Sequence, residues 1–388
     1  MPLLIIALSA LVATTTNAPA AIPKGGTEQS INQINSEPKD RLRGMGDPEP
    51  VKTPAQKAAQ DAYQTCLRSL VQSLGASASA RDRALGTQMY FIIDYFDSHQ
   101  PTLEDRAAHG AMLRSAAEAA PDDALVQWLW ANANPDDSGC SASHPCPNRA
   151  EAIARLQPGN GSAWLPLFNA SWKAKDIPAA ESALRQMSLA NRYEEQIGLE
   201  LIAWMDVFRR HPMPISAMDQ NGPDALLDDQ SRSFSFSMSL AAAFAIPAYQ
   251  PLVDACNHEK HPDASASRFH DCAQLGRVML RHSTSLIGRM ISLPLLRLSG
   301  QATAADIANA RVFDWQYDHT QALAANENAD LKATIADWLA TGDESVVLER
   351  QLQRAGIALT PPAAWQVHGR DGKPISPLGE SPRSAKQL

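Results

Sequence analysis

The 388-residue sequence predicts an all-α fold, an array of antiparallel helix pairs wound as an α-solenoid or α–α superhelix. Three observations predict it. From Thr53-Pro54 onward, Ala-rich and Leu-rich segments carry apolar residues at helical spacing, separated by Pro, Gly, Asn and Asp. Alternation of β-branched with polar residues, which marks a half-buried strand, is nearly missing. A composition of 44% hydrophobic and 20% charged residues belongs to an ordinary globular chain of one elongated or two compact domains.

The elements follow in order. Residues 3–13 form an apolar run too short to cross a bilayer, which needs about 20 residues. With Ala18 and Ala20 spaced for signal-peptidase cleavage, residues 1–20 are expected to be a signal peptide cut after Ala20, although they hold no Lys or Arg. Residues 21–53 contain Gly25-Gly26 and scattered apolar positions, the pattern of a disordered leader. Helices are expected at 54–74, 80–97, 102–119 and 123–132, within an N-terminal helical repeat region covering 54–212. The cluster Met218-Asp-Gln-Asn-Gly-Pro-Asp224 divides it from a C-terminal helical region, 213–368. There Ser231 to Ser239 alternates apolar and polar residues, and a Ser-rich helix start is preferred to a short strand. Leu286 to Leu298, interrupted by Arg289, Pro294 and Arg297, predicts a buried helix. Trp338 to Asp343 followed by Val346, Val347, Leu348 and Leu352 predicts helix, tight turn, helix. Residues 369–388 predict a flexible tail.

The middle of the chain carries the clearest motif. Pro158, Trp164, Leu167 and Phe168 precede a Lys175-Asp176 turn, then Ala180, Ala183, Leu184 and Met187 on a second helix. This order resembles a tetratricopeptide repeat, in which large residues of one helix interlock with small and large ones of the next. Pro121 and Trp128 repeat the arrangement 37 residues upstream of Pro158, close to the family period of about 34. Phe168, Ser171 and Arg192 depart from the positions the family gives to Gly, an aromatic and the closing Pro. The resemblance covers 102–190 and implies a helical solenoid that binds protein or peptide.

Five cysteines fit an exported protein. Cys140 and Cys146 lie in a Ser- and Pro-rich stretch suited to a local disulfide, and Cys256 and Cys272 flank a turn between two helices where their Cβ atoms could meet. Each bridge is worth roughly 2 to 3 kcal/mol. Cys66 is expected to be a buried free thiol beside Ala59, Tyr63, Leu70 and Leu74. Cys256, His258, Glu259, His261, His270 and Cys272 form the densest set of possible zinc ligands, but their spacing fits no common zinc motif and oxidation competes for the thiols.

Charge and motifs narrow the function. A net charge of −8 with no basic run argues against nucleic-acid binding. No nucleophile elbow or phosphate loop occurs, and the single Ser-x-x-Lys, Ser36 to Lys39, carries a Pro in the expected leader. His109, His211, His282 and His319 are isolated. The acidic pairs Asp94/Asp97 and Glu194/Glu195 are read as solvated helix faces rather than as acid/base pairs. Trp128 and Trp130 lie two apart, so one packs inward while the other faces a neighbour, and Phe313, Trp315 and Tyr317 repeat the spacing. The expectation is a periplasmic or secreted module that holds an envelope protein or peptide in a groove lined by Trp128, Trp130 and Trp164. It needs no catalysis, cofactor, metal or stable membrane span after signal cleavage. The alternatives are an all-α, hydrolase-like enzyme, for instance one gathering His270, Asp271 and a distant carboxylate, and a metal-binding hairpin at 256–272.

Overall fold

Short polar side chains set where the helices begin. The computed structural model describes residues 53–97, 102–133, 140, 146, 149–212, 228–325, 330–368 and 374–378. The expected signal peptide, nearly all of the leader, the 218–224 turn cluster and the side chains of Asp94 and Asp97 lie outside the described residues. Thr102 and Asp105 form a reciprocal cap, and Asp123, Asp176, Asp228, Ser265, Ser285, Asp330 and Asp343 each accept backbone N–H bonds at the start of a helix. Each such cap satisfies donors that the first helical turn leaves open, typically worth about 1 kcal/mol.

Fifteen α-helices and no strand are found among the described residues. They are α1 (Pro54–Gly75), α2 (Ala80–Asp97), α3 (Leu103–Ala119), α4 (Ala124–Asn132), α5 (Ala152–Leu156), α6 (Leu165–Lys173), α7 (Ile177–Leu189) and α8 (Ile197–Arg210). There follow α9 (Asp229–Phe244), α10 (Gln250–Ala255), α11 (Ala266–His282), α12 (Leu286–Leu298), α13 (Ala304–Ala325), α14 (Leu331–Thr341) and α15 (Glu344–Arg354). Chain neighbours pack as helix pairs, α1 with α2, α6 with α7, α11 with α12 and α14 with α15. That arrangement is compatible with a helical-repeat fold. The Ser-rich stretch is helix throughout α9, because Asp228 caps its start and Phe234, Met238 and Ala241, at i, i+4 and i+7, keep one helical face apolar despite the period-two serines.

Four hydrophobic clusters hold the helices together. The first gathers α1 to α4 around Trp128 and takes in Trp204 and Phe208 of α8 and Leu240 of α9. The second joins α6 and α7 to α10, α11 and α12, with Cys256 and Cys272 inside it. The third packs Ile197 and Leu201 of α8 against α9, α14 and α15. The fourth places Phe313 of α13 against Leu280, Leu296 and Leu378. Because α8 gives its first turns to the third cluster and its last turns to the first, and α9 enters both, the core is continuous across position 212.

Two expectations need correction in detail. Residues 374–378, inside the stretch read as a flexible tail, are docked: Leu378 is buried and its carbonyl accepts from Arg297 at 3.2 Å. A single Leu between Ser-Pro and Gly gave no periodicity to reveal it. Cys66 is half-buried rather than buried, on a surface-facing part of α1, and its remaining burial pushes the thiol up. No helix among the described residues is long and apolar enough to cross a membrane.

Candidate functional site

The chemistry of the molecule concentrates where the extended segment 190–196 crosses the turn between α11 and α12. Tyr193 N donates to His282 O at 3.2 Å and Tyr193 O accepts from Thr284 N at 3.0 Å, a short parallel bridge. Asn160 holds the next residue from both sides, accepting from Glu194 N at 2.9 Å and donating to Glu194 O at 3.0 Å. Following these fixed residues, Glu195 turns its carboxylate into the protein and is only 1% exposed.

Three hydroxyl groups meet that carboxylate. Ser283 Oγ lies 3.0 Å and 3.2 Å from its two oxygens, Ser285 Oγ donates to Oε1 at 2.5 Å, and Tyr249 OH donates to Oε1 at 3.2 Å. Burial pushes the Glu195 carboxyl up to about 7, against the lowering effect of these hydrogen bonds. Burial, then the Glu195 charge, likewise raises the phenols of Tyr193 and Tyr249 well above the ordinary tyrosine range. The carboxylate rests on the bare Cα of Gly288, where a Cβ would stand 2.1 Å from Glu195 Oε1 and 2.2 Å from Ser283 Oγ.

A second acid reaches the same helix start. Leu286 N, the first helical amide of α12, donates to Glu344 Oε2 at 2.7 Å, while Glu344 N donates to Thr284 O at 2.9 Å. Ser345 Oγ adds a bond to Ser283 O at 2.9 Å. Glu344 is half-buried as a residue, and burial of its carboxyl group pushes it up to about 7. Both carboxylates therefore sit at the positive end of the α12 dipole. Arg289, one turn into α12, has its guanidinium largely enclosed and feels the charges of Glu349, Asp343, Glu344 and Glu195.

The arrangement can hold a proton, and it joins four elements. It presents no outward nucleophile, since Ser283 and Ser285 are 2% and 1% exposed. Sequence reasoning took Glu195 for a solvated acid. The structure corrects this: Glu195 lies in an extended crossing segment ahead of α8, so the helical-face argument did not apply to it. The serines that identify its environment are about 90 residues away in sequence, and no local pattern links them to it.

The residues singled out from sequence are placed as follows. Trp128 is fully buried and donates from Nε1 to Ala245 O at 3.2 Å. Trp130 is half-buried against the same cluster, beneath Arg149, which donates to the Trp130 and Ala133 carbonyls. Trp164 is half-buried beside the second cluster and donates to Pro158 O at 3.0 Å. Trp164 thus belongs to a different cluster from the other two. Cys140 with Cys146, and Cys256 with Cys272, stand at disulfide distance with Cα atoms 5.6 Å apart in each pair. The second bond takes both thiolates away from a metal, and His258 instead contacts Leu298 O at 2.8 Å. Asp271 is bonded by Ser188 at 3.1 Å, whereas its neighbour His270 is exposed, so the two do not converge. No group of three or more His, Cys, Asp or Glu with metal-binding geometry occurs among the described residues.

No protein-family profile, curated protein or solved structure matches this chain.

Proposed function

We propose that this protein is an exported helical-repeat module, of the tetratricopeptide-like kind, that holds a protein or peptide segment in the cell envelope without catalysis. The observation that carries the reading is the run of packed helix pairs, with the α6–α7 pair built on the interlocking set Leu165, Phe168, Ala180, Ala183, Leu184 and Met187. Stacked pairs of this type leave a long lateral surface suited to an extended partner. The two disulfides fit an oxidising compartment, which supports export. Trp130 and Trp164 offer the partner part of their ring surface, while the fully buried Trp128 supports the wall from behind.

Expression of the full-length chain in a Gram-negative host, with a photocrosslinker in place of Trp130 or Trp164, tests this. A processed periplasmic chain that yields the same crosslinked partner from repeated preparations is expected. A folded, exported chain that crosslinks nothing from either position contradicts it. The second reading is an all-α, hydrolase-like enzyme, favoured by the Glu195 carboxyl, which burial raises into the neutral range where it can hold and release a proton. Substrate turnover abolished by Glu195→Gln, with crosslinking absent, would establish that reading instead.

A further inference from the structure

The α14–α15 hairpin is fastened to the rest of the protein through a small polar contact. At its turn, Gly342 approaches the start of α8 so closely that a Cβ on Gly198 would stand 1.9 Å from Gly342 O. Beside that contact, Glu344 and Ser345 contribute three hydrogen bonds to 283–286, two of them to backbone carbonyls. The same 283–286 stretch carries the hydroxyls that Glu195 accepts. The segment between α11 and α12 is thus held from one side by Glu195 and from the other by Glu344.

We propose that this joint is a proton-operated clasp, closed while Glu195 or Glu344 is neutral and loosened at the α14–α15 hairpin when both are ionised. The geometry supplies the reason. Two enclosed carboxylates share one helix start, and the Arg289 guanidinium, whose Nε donates to Ser283 O at 3.4 Å, feels the charge of both. The other titratable groups around them are Tyr193 on the crossing segment, Tyr249 at the start of α10, and Asp343 and Glu349 beside Glu344. None of these four adds positive charge. On ionisation the proton leaves to water, and the enclosed negative charge has hydroxyls, Leu286 N–H and one guanidinium to stabilise it. Burial raises both acids to the neutral range, so the change falls between mildly acidic and mildly alkaline conditions.

Hydrogen exchange by mass spectrometry, corrected for the intrinsic pH dependence of exchange, tests the clasp on the full chain. Peptides covering 284–288 and 342–348 are expected to lose protection by about tenfold or more between about pH 5 and about pH 8.5, the factor that one pKa unit of coupling supplies. Peptides within α7 should lose none. Glu344→Gln should shrink the loss, and the double variant Glu195→Gln/Glu344→Gln should abolish it. Protection that stays constant with pH in the wild-type chain overturns the proposal, as does an unaltered loss in both folded variants. If the Glu195 variant fails to fold, the wild-type and Glu344→Gln profiles decide between these outcomes.

Discussion

Glu195 and Glu200 stand five residues apart, are both essentially unexposed, and differ in what surrounds them. Glu195 lies in an extended crossing, where three hydroxyls from two other elements and the N-terminus of α12 converge on it. Glu200 lies inside α8, where Trp204 Nε1 reaches Oε1 from 3.4 Å, Gln88 lies beside it and Oε2 has no partner. Burial pushes Glu195 up to about 7 and Glu200 up to about 8. Burial is the largest cause in both cases. Hydrogen bonds aimed at the charged form oppose that rise, and the crossing segment gathers three hydroxyls on Glu195 where Trp204 and Gln88 attend Glu200.

The comparison has consequences for stability. An unfolded Glu titrates near 4.5, so between that value and the folded one the native chain holds a proton that the unfolded chain has lost. Stability is then fully present below about pH 4.5 and declines as pH rises, levelling above pH 7 for Glu195 and above pH 8 for Glu200. Glu200→Gln removes the larger of these declines. Relative to its effect near pH 4, it is expected to gain about 5 kcal/mol in urea unfolding above pH 8.

Gly288→Ala attacks the other member of the comparison through packing alone. Its Cβ would collide with Glu195 Oε1 and Ser283 Oγ, so a loss of roughly 3 to 5 kcal/mol is expected in the same unfolding assay. A loss below about 1 kcal/mol would mean the joint yields easily and does not hold α12 in place. Glu195→Gln should gain about 3 kcal/mol between pH 4 and about pH 8, levelling there. Smallest is Ser285→Ala, which removes a hydroxyl from Glu195 and the cap of α12. It should cost about 1 to 2 kcal/mol and move the Glu195 titration upward, toward that of Glu200, as carboxyl carbon-13 NMR would show.

Much of the fold was legible because it is local. Asp and Ser caps, Pro-Asp turns and the spacing of Leu, Ala and Trp place α1 to α4 within a residue or two of expectation, and the turn between α6 and α7 falls at Lys175-Asp176 as expected. The Cys256–Cys272 pairing follows from the same local reasoning, a turn of known length between two helices. What escaped is non-local. Trp128 owes its complete burial to α8 and α9, more than 70 residues on in sequence, and nothing around Trp128 announces them. Leu378 is buried because Arg297 and Phe313 happen to face it. Glu195 was misread for the same reason: Asn160, Tyr249, and Ser283 with Ser285, which turn a surface-type residue into a buried one, come from three separate stretches of chain.

The most direct measurement is the titration of individual glutamate carboxyls by carbon-13 NMR in the folded full chain, with Glu195→Gln and Glu200→Gln used for assignment. Two signals titrating well above the ordinary value, in or above the neutral range, and lost in the respective variants, are the result that burial of both carboxyls requires. Signals for both residues that titrate together near the ordinary value of 4.5 would contradict the account. They would mean that water reaches both sites, and that neither acid is held neutral by the fold.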